Sequence, residues 1–155
     1  MNKEVLKAAL ETLYKQAQIA FDEGEVPVAA CVIADATDDA IYCYHNSVEE
    51  DDDPFAHAEI LAIKGALQGN SSEKDNKKYL KDATIIVTLE PCLMCLGAIL
   101  KAGIKHLYYI LDDPKLGSLS HYHAFVDDQL EVVRLEDEGG RFKKLMDDFF
   151  KKLRS

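Results

Sequence analysis

Residues 83–111 read ATIIVTLEPCLMCLGAILKAGIKHLYYIL, and the order of residue types in this stretch decides the fold. Ala83 to Leu89 is an apolar, β-branched run of strand length. Pro91 follows where a helix can begin, because the first turn of a helix has no use for the N–H that proline lacks. The aliphatic residues as far as about Lys101 suit a buried helix, Gly103 closes it, and Ile104 to Leu111 is a second strand. A strand, a helix and a strand at this spacing predict parallel pairing through a right-handed crossover.

Toward the N-terminus, Ala56 to Ile63 reads as a mostly buried helix with His57 in its first turn, entered from the acidic stretch Glu49 to Asp53 and Pro54. Together with the polar loop Gly69 to Lys78 it makes a second strand-helix-strand passage. Val26 to Ala34 and Ala40 to Tyr44 are β-prone runs separated by turn material at Asp35 to Asp39, which predicts a hairpin. From Lys3 to Phe21 the apolar residues Val5, Leu6, Ala9, Leu10, Leu13, Ala17 and Ala20 recur at helical spacing, and Gly24 lies just past the last turn. Toward the C-terminus, Leu130 to Leu135 supplies a fifth strand. Arg141 to Leu153 supplies an amphipathic helix whose apolar side carries Phe142, Leu145, Met146, Phe149, Phe150 and Leu153. The expected architecture is a three-layer α/β/α sandwich around a central mixed five-stranded sheet, forming one domain over residues 1–155.

The composition narrows the function. No apolar run approaches the roughly 18 residues of a membrane span, and the N-terminus lacks a signal-peptide core, so a soluble, cytoplasmic protein is expected. In that compartment Cys92 and Cys95 read as metal ligands, and Cys31 and Cys43 as reduced thiols serving as small core residues. The net charge of −10 argues against generic nucleic-acid binding. The charge is uneven, however. Residues 141–155 carry Arg141, Lys143, Lys144, Lys151, Lys152 and Arg154 against only Asp147 and Asp148.

The chemistry lies in His57-Ala58-Glu59 and in Pro91-Cys92-Leu93-Met94-Cys95. One imidazole and two thiolates suit a tetrahedral zinc ion, and a catalytic site keeps the fourth position for water. Cys92 and Cys95, spaced i and i+3 at a helix start, present both sulfurs to one point. Helix N-termini there favour anionic ligands. Glu59, two residues past His57, is close enough to move protons without being a ligand. It takes one from water and delivers it to a ring nitrogen as the carbon bearing an exocyclic amine is attacked, then protonates the departing ammonia. H-x-E followed by P-C-x-x-C is the signature of zinc-dependent nucleobase deaminases. The alternative is a closed structural zinc site with a fourth protein ligand, for which His45, His106, His121 and His123 are the available histidines. The run Asp51 to Asp53 reads as a solvated loop.

These residues, together with Gly24-Glu25-Val26-Pro27-Val28, Asn46, Asp53-Pro54-Phe55-Ala56, Thr88-Leu89-Glu90, Gly97-Ala98-Ile99, Asp113-x-Lys115-x-Gly117 and Phe149-Phe150 before a basic tail, resemble the bacterial tRNA-specific adenosine deaminases of the cytidine deaminase-like superfamily. The resemblance covers most of the chain. It implies that His57, Cys92 and Cys95 bind one Zn2+ per subunit, that Glu59 shuttles protons, that Asn46 hydrogen-bonds the base and that Asp113 lies beside the RNA-binding rim. It further implies a homodimer acting on the wobble adenosine of a tRNA anticodon stem-loop to form inosine. Ala29, Phe55 and Leu96 depart from the family pattern, residues 118–130 are hard to match, and Leu96-Gly97-Ala98-Ile99 also resembles bacterial guanine deaminases. Deamination of a free base or nucleoside (guanine, cytosine or cytidine) is therefore the second reading. A non-catalytic, zinc-stabilised RNA- or partner-binding subunit is the third.

Overall fold

The structure is a computed structural model and describes residues 1–34, 40–69, 79–119, 121, 126 and 128–155. The turn expected at Asp35 to Asp39, residues 70–78 of the polar loop, His123 and much of the 118–130 stretch lie outside the described residues. The elements are α1 (Lys3–Asp22), β1 (Ala29–Ile33), β2 (Ile41–His45), α2 (Ala58–Gly69), β3 (Thr84–Leu89), α3 (Leu93–Lys101), β4 (His106–Leu111), β5 (Glu131–Arg134), a 3-10 turn (Glu138–Gly140) and α4 (Arg141–Arg154).

The five strands form one mixed sheet in the order β2-β1-β3-β4-β5. β3, β4 and β5 are mutually parallel, as the strand-helix-strand reading of residues 83–111 requires. β1 runs antiparallel to both β2 and β3. The passage from β2 through α2 therefore arrives at β3 with the direction of β2 but not beside it, because β1 lies between them. Burial explains the insertion: all five residues of β1 are buried, whereas no residue of β2 is fully buried and β2 takes the edge.

Side chains of successive strand residues point to opposite faces, and the two halves of the core follow that period. Ala30, Val32, Ile85, Val87 and Leu107 pack with Ala62, Ala66, Leu96 and Ile99 of α2 and α3. Ala29, Cys31, Ile33, Ile86 and Ile110 pack with Ala9, Leu13 and Ala17 of α1 and Phe142 of α4. This is the expected α/β/α sandwich. Among the described residues no helix is long and apolar enough to cross a membrane.

Two expectations are corrected. Cys31 and Cys43 are not reduced thiols; they form a disulfide across the β1–β2 hairpin, where the register sets them directly opposite each other with Cα atoms 4.1 Å apart. That approach is typical of the close pairs of an antiparallel ladder. The apolar side of α4 is also narrower than its sequence suggests. Phe142 and Phe149 are buried, but Phe150 is 44% and Leu153 65% exposed.

The topology brings the chemistry to one edge. β2, β3 and β4 run in the same direction, so Asn46 after β2, Cys92 after β3 and Asp113 after β4 all leave the sheet at its carboxyl end. Helices returning over the sheet begin at that edge, so the N-termini of α2 and α3 lie there too. This is where open α/β sheets bind ligands.

Candidate active site

His57 immediately precedes α2 and does not sit inside its first turn; its carbonyl accepts the N–H of Leu61 at 3.1 Å, the first bond of the helix. The neighbouring Ala58 N–H donates to Asn46 Oδ1 at 2.9 Å. Asn46 thus satisfies an N-terminal amide of α2 and fixes the backbone between His57 and Glu59. Because the side-chain oxygen of Asn46 is taken, its NH2 is the end left to act as a donor. α3 likewise begins one residue after Cys92, later than the Pro91 start expected, and Cys92 is its N-cap. Cys95 lies three residues on, within the first turn.

This arrangement brings the three expected ligands together. Cys92 Sγ is 3.7 Å and Cys95 Sγ 3.5 Å from His57 Nδ1, and all three donor atoms lie within 4.8 Å of one another. A tetrahedral zinc ion with bonds of about 2.3 Å to sulfur and 2.0–2.1 Å to nitrogen separates such donors by about 3.6 Å. The spacing and the soft and borderline character of the donors fit zinc. Among the described residues no fourth donor joins the group. His45 is bound to Gln16 at 2.8 Å and Glu23 at 3.0 Å, His106 pairs with Glu131, and His121 is exposed.

Glu59 is 4% exposed, and its Oε2 accepts the Cys95 thiol at 3.2 Å. Burial raises its pKa, because a charged carboxylate is poorly solvated there. The thiol of Cys92 is lowered to about 4 by the hydrogen bonds it receives from Cys95 and His57. Its partners respond in the opposite sense: the hydrogen bond to Cys92 raises both Cys95 and His57.

Two buried acids hold the frame around the trio; the sequence motifs include both, but sequence reading assigns neither a role. Glu25, 2% exposed, accepts the N–H groups of Glu49 and Glu50 at 2.8 and 2.9 Å, which anchors the acidic turn leading to His57. Within that turn Asp51 accepts the Ser47 hydroxyl and Asp53 accepts the Phe55 N–H, so these carboxylates are partly spent on their own loop. Glu90, 3% exposed, accepts the N–H groups of Asp113 and Leu119 through separate oxygens. The available signal was an acid placed just ahead of a proline, with Glu90 directly before Pro91 and Glu25 two residues before Pro27 at the start of the apolar run Val26 to Ala34. Asp113 lies on the same edge as the trio, with Oδ1 accepting the N–H groups of Lys115 and Leu116 at 3.1 Å each.

The family profile of the MafB19-like deaminases matches residues 5–154. The tRNA-specific adenosine deaminase of Rickettsia typhi is 38% identical over 152 residues, covering 94% of this chain and 98% of the relative. A solved structure described under A-to-I editing by tRNA:A34 deaminases at the wobble position of transfer RNA superposes with a TM-score of 0.74 at 28% identity, covering 90% of this chain and 99% of that one. The guanine deaminase of Bacillus subtilis superposes at 0.58 with 31% identity, covering 72% of this chain and 66% of that one. The profile match over residues 5–154 and the 38% identity over nearly the full length of both chains place this chain in the MafB19-like deaminase family beside the bacterial tRNA-specific adenosine deaminases.

Proposed function

We propose that the chain is a zinc-dependent hydrolytic deaminase, one domain over residues 1–155, that converts adenosine to inosine at the wobble position of a tRNA anticodon. The observation that carries the chemistry is the buried carboxylate of Glu59, 3.2 Å from a sulfur of the three-donor group yet outside that group. A closed structural site has no use for such a carboxylate. The substrate reading is supported by similarity to tRNA-specific adenosine deaminases over nearly the full length of both chains.

His57, Cys92 and Cys95 hold the metal. Bound zinc supplies the Lewis acidity that makes water a nucleophile near neutral pH. Glu59 accepts the proton released by that water, passes it to the ring nitrogen beside the carbon under attack, and then serves the departing ammonia. Adenosine and water become inosine and ammonia. Burial raises the affinity of Glu59 for a proton, which suits it to accept one. Asn46, held by the Ala58 amide, offers its NH2 to an acceptor on the base, and Asp113 stands at the rim facing the RNA. We further propose a cytoplasmic homodimer that binds the anticodon stem-loop with the target base turned out of its stack.

The direct test is incubation of the purified protein with an anticodon stem-loop bearing a wobble adenosine, and separately with guanine, cytosine and cytidine, measuring inosine and ammonia. Inosine in the RNA is the expected outcome. Turnover of a free base without RNA editing would establish the second reading, which Leu96-Gly97-Ala98-Ile99 and the superposition on a guanine deaminase favour. No turnover on any substrate would leave the RNA- or partner-binding reading.

A further inference from the structure

The segment Asp113–Leu119 is a turn that locks itself and is then fastened to the residues beside Cys92. Inside the turn, Gly117 N–H donates to Asp113 O at 2.9 Å, while Asp113 Oδ1 accepts Lys115 and Leu116. Four bonds tie it outward. Glu90 Oε1 accepts Asp113 N–H at 3.3 Å and Glu90 Oε2 accepts Leu119 N–H at 3.0 Å. Pro91 O accepts both the N–H and the hydroxyl of Ser118, at 3.0 and 2.7 Å. Gly117 is closed to any side chain, because a Cβ there would enter the space of the Glu90 carboxylate and the Asp113 carbonyl.

Only Pro91 separates Glu90 from Cys92, so the turn is fastened beside the metal ligand by the buried Glu90 carboxylate, which holds its two ends, together with the Pro91 carbonyl. The turn exposes its largest apolar group: Leu116 is 72% exposed, and Lys115 beside it is exposed as well. Across the site, Leu93 next to Cys92 is 54% exposed and Phe55, two residues before His57, is 63% exposed. A turn meant only to complete the core would bury Leu116. One built as a lip over the site holds its backbone rigidly and leaves its side chains for a ligand.

We propose that Glu90 is a positioning residue for substrate: by bridging Asp113 and Leu119 it sets the 113–119 lip at a fixed distance from the metal ligands, so that the flanks of a large substrate meet it while the target base reaches Glu59. The nature of that substrate rests on the function proposed above; the role of Glu90 rests on the hydrogen bonds. Glutamine at this position keeps the volume but turns an NH2 toward one of the two N–H donors, so one arm of the bridge is lost.

The test compares wild-type, Glu90→Gln and Gly117→Ala for zinc content, kcat and KM on the anticodon stem-loop. Each variant is expected to bind zinc like wild-type and keep kcat within about twofold, while KM rises about tenfold, the effect of losing one well-made hydrogen bond to a charged group. Unchanged KM in both variants overturns the proposal. Loss of zinc together with kcat also overturns it, since Glu90 would then merely support Cys92. If Glu90→Gln fails to fold, Gly117→Ala carries the test from the other side of the same contact. If wild-type turns over a free base and not RNA, the proposed function fails. The Glu90 role is then judged on KM for that base, a rise supporting it and no change overturning it. If wild-type turns over nothing, the same comparison is made on Kd for the stem-loop.

Discussion

A glutamate two residues past a ligand histidine has two possible uses, and the structure distinguishes them. As a fourth ligand Glu59 would belong to the donor group; it lies outside that group and is hydrogen-bonded to one of its sulfurs. Replacing it with glutamine keeps the shape and removes the proton acceptor. We expect Glu59→Gln to lower kcat by about 10²–10⁴-fold, the usual contribution of a positioned acid–base group, with zinc content unchanged by metal analysis. Loss of metal instead would make Glu59 a structural support. Cys92→Ser is expected to give the reverse pattern, with loss of metal and activity together, because a hydroxyl does not supply the anionic sulfur that zinc retains.

At the scale of elements, the sequence makes each strand and helix legible through its periodicity, yet it conceals the neighbours of β1. The continuous β-prone apolar run Val26 to Ala34 says that Ala29–Ile33 is extended; only its burial on both faces says that it belongs between β2 and β3. The ligands were legible because their spacing is local and each pair sits at a helix start. Glu25 and Glu90 were not, because their partners are backbone amides 23 to 29 residues away and amides carry no sequence signal. The hairpin was legible while its disulfide was not, since a one-residue slip of register would turn Cys43 to the other face of the sheet. The bond has a measurable consequence. In the denatured protein, thiol titration should find two groups, Cys92 and Cys95, before reduction and four after it. Replacing Cys31 and Cys43 together with alanine should cost about 3 kcal/mol of stability in the chain-entropy treatment of a short closed loop, read from chemical denaturation. Four titratable thiols in the unreduced protein would return Cys31 and Cys43 to the reduced role their sequence context suggests.

Across the whole molecule, a charge of −10 has to be reconciled with a polyanionic substrate. The basic C-terminal segment is less available than its sequence implies. Lys143 and Lys144 are each paired four residues along α4 with Asp147 and Asp148, and Arg141 reaches Glu11. The last turn of α4 differs. Lys151, Lys152 and Arg154 are exposed, without an ion pair among the described residues, and Lys152 lies 5.5 Å from the centre of the Phe21 ring. Cations at a helix C-terminus are also favoured by its dipole. If these three neutralise phosphates, their counterion contribution is about 0.7 per contact on a flexible strand, or about 2 units of slope in log K against log salt. Changing Lys151, Lys152 and Arg154 together to glutamine should therefore flatten the salt dependence of stem-loop affinity by about 2 units. Turnover of saturating RNA should hold, because none of the three belongs to the His57, Cys92 and Cys95 donor group or bonds Glu59. An unchanged slope would place the phosphate contacts elsewhere. The lip residue Lys115 is then the cation to replace next, since it is exposed and stands on the turn that Glu90 fastens beside the metal ligands.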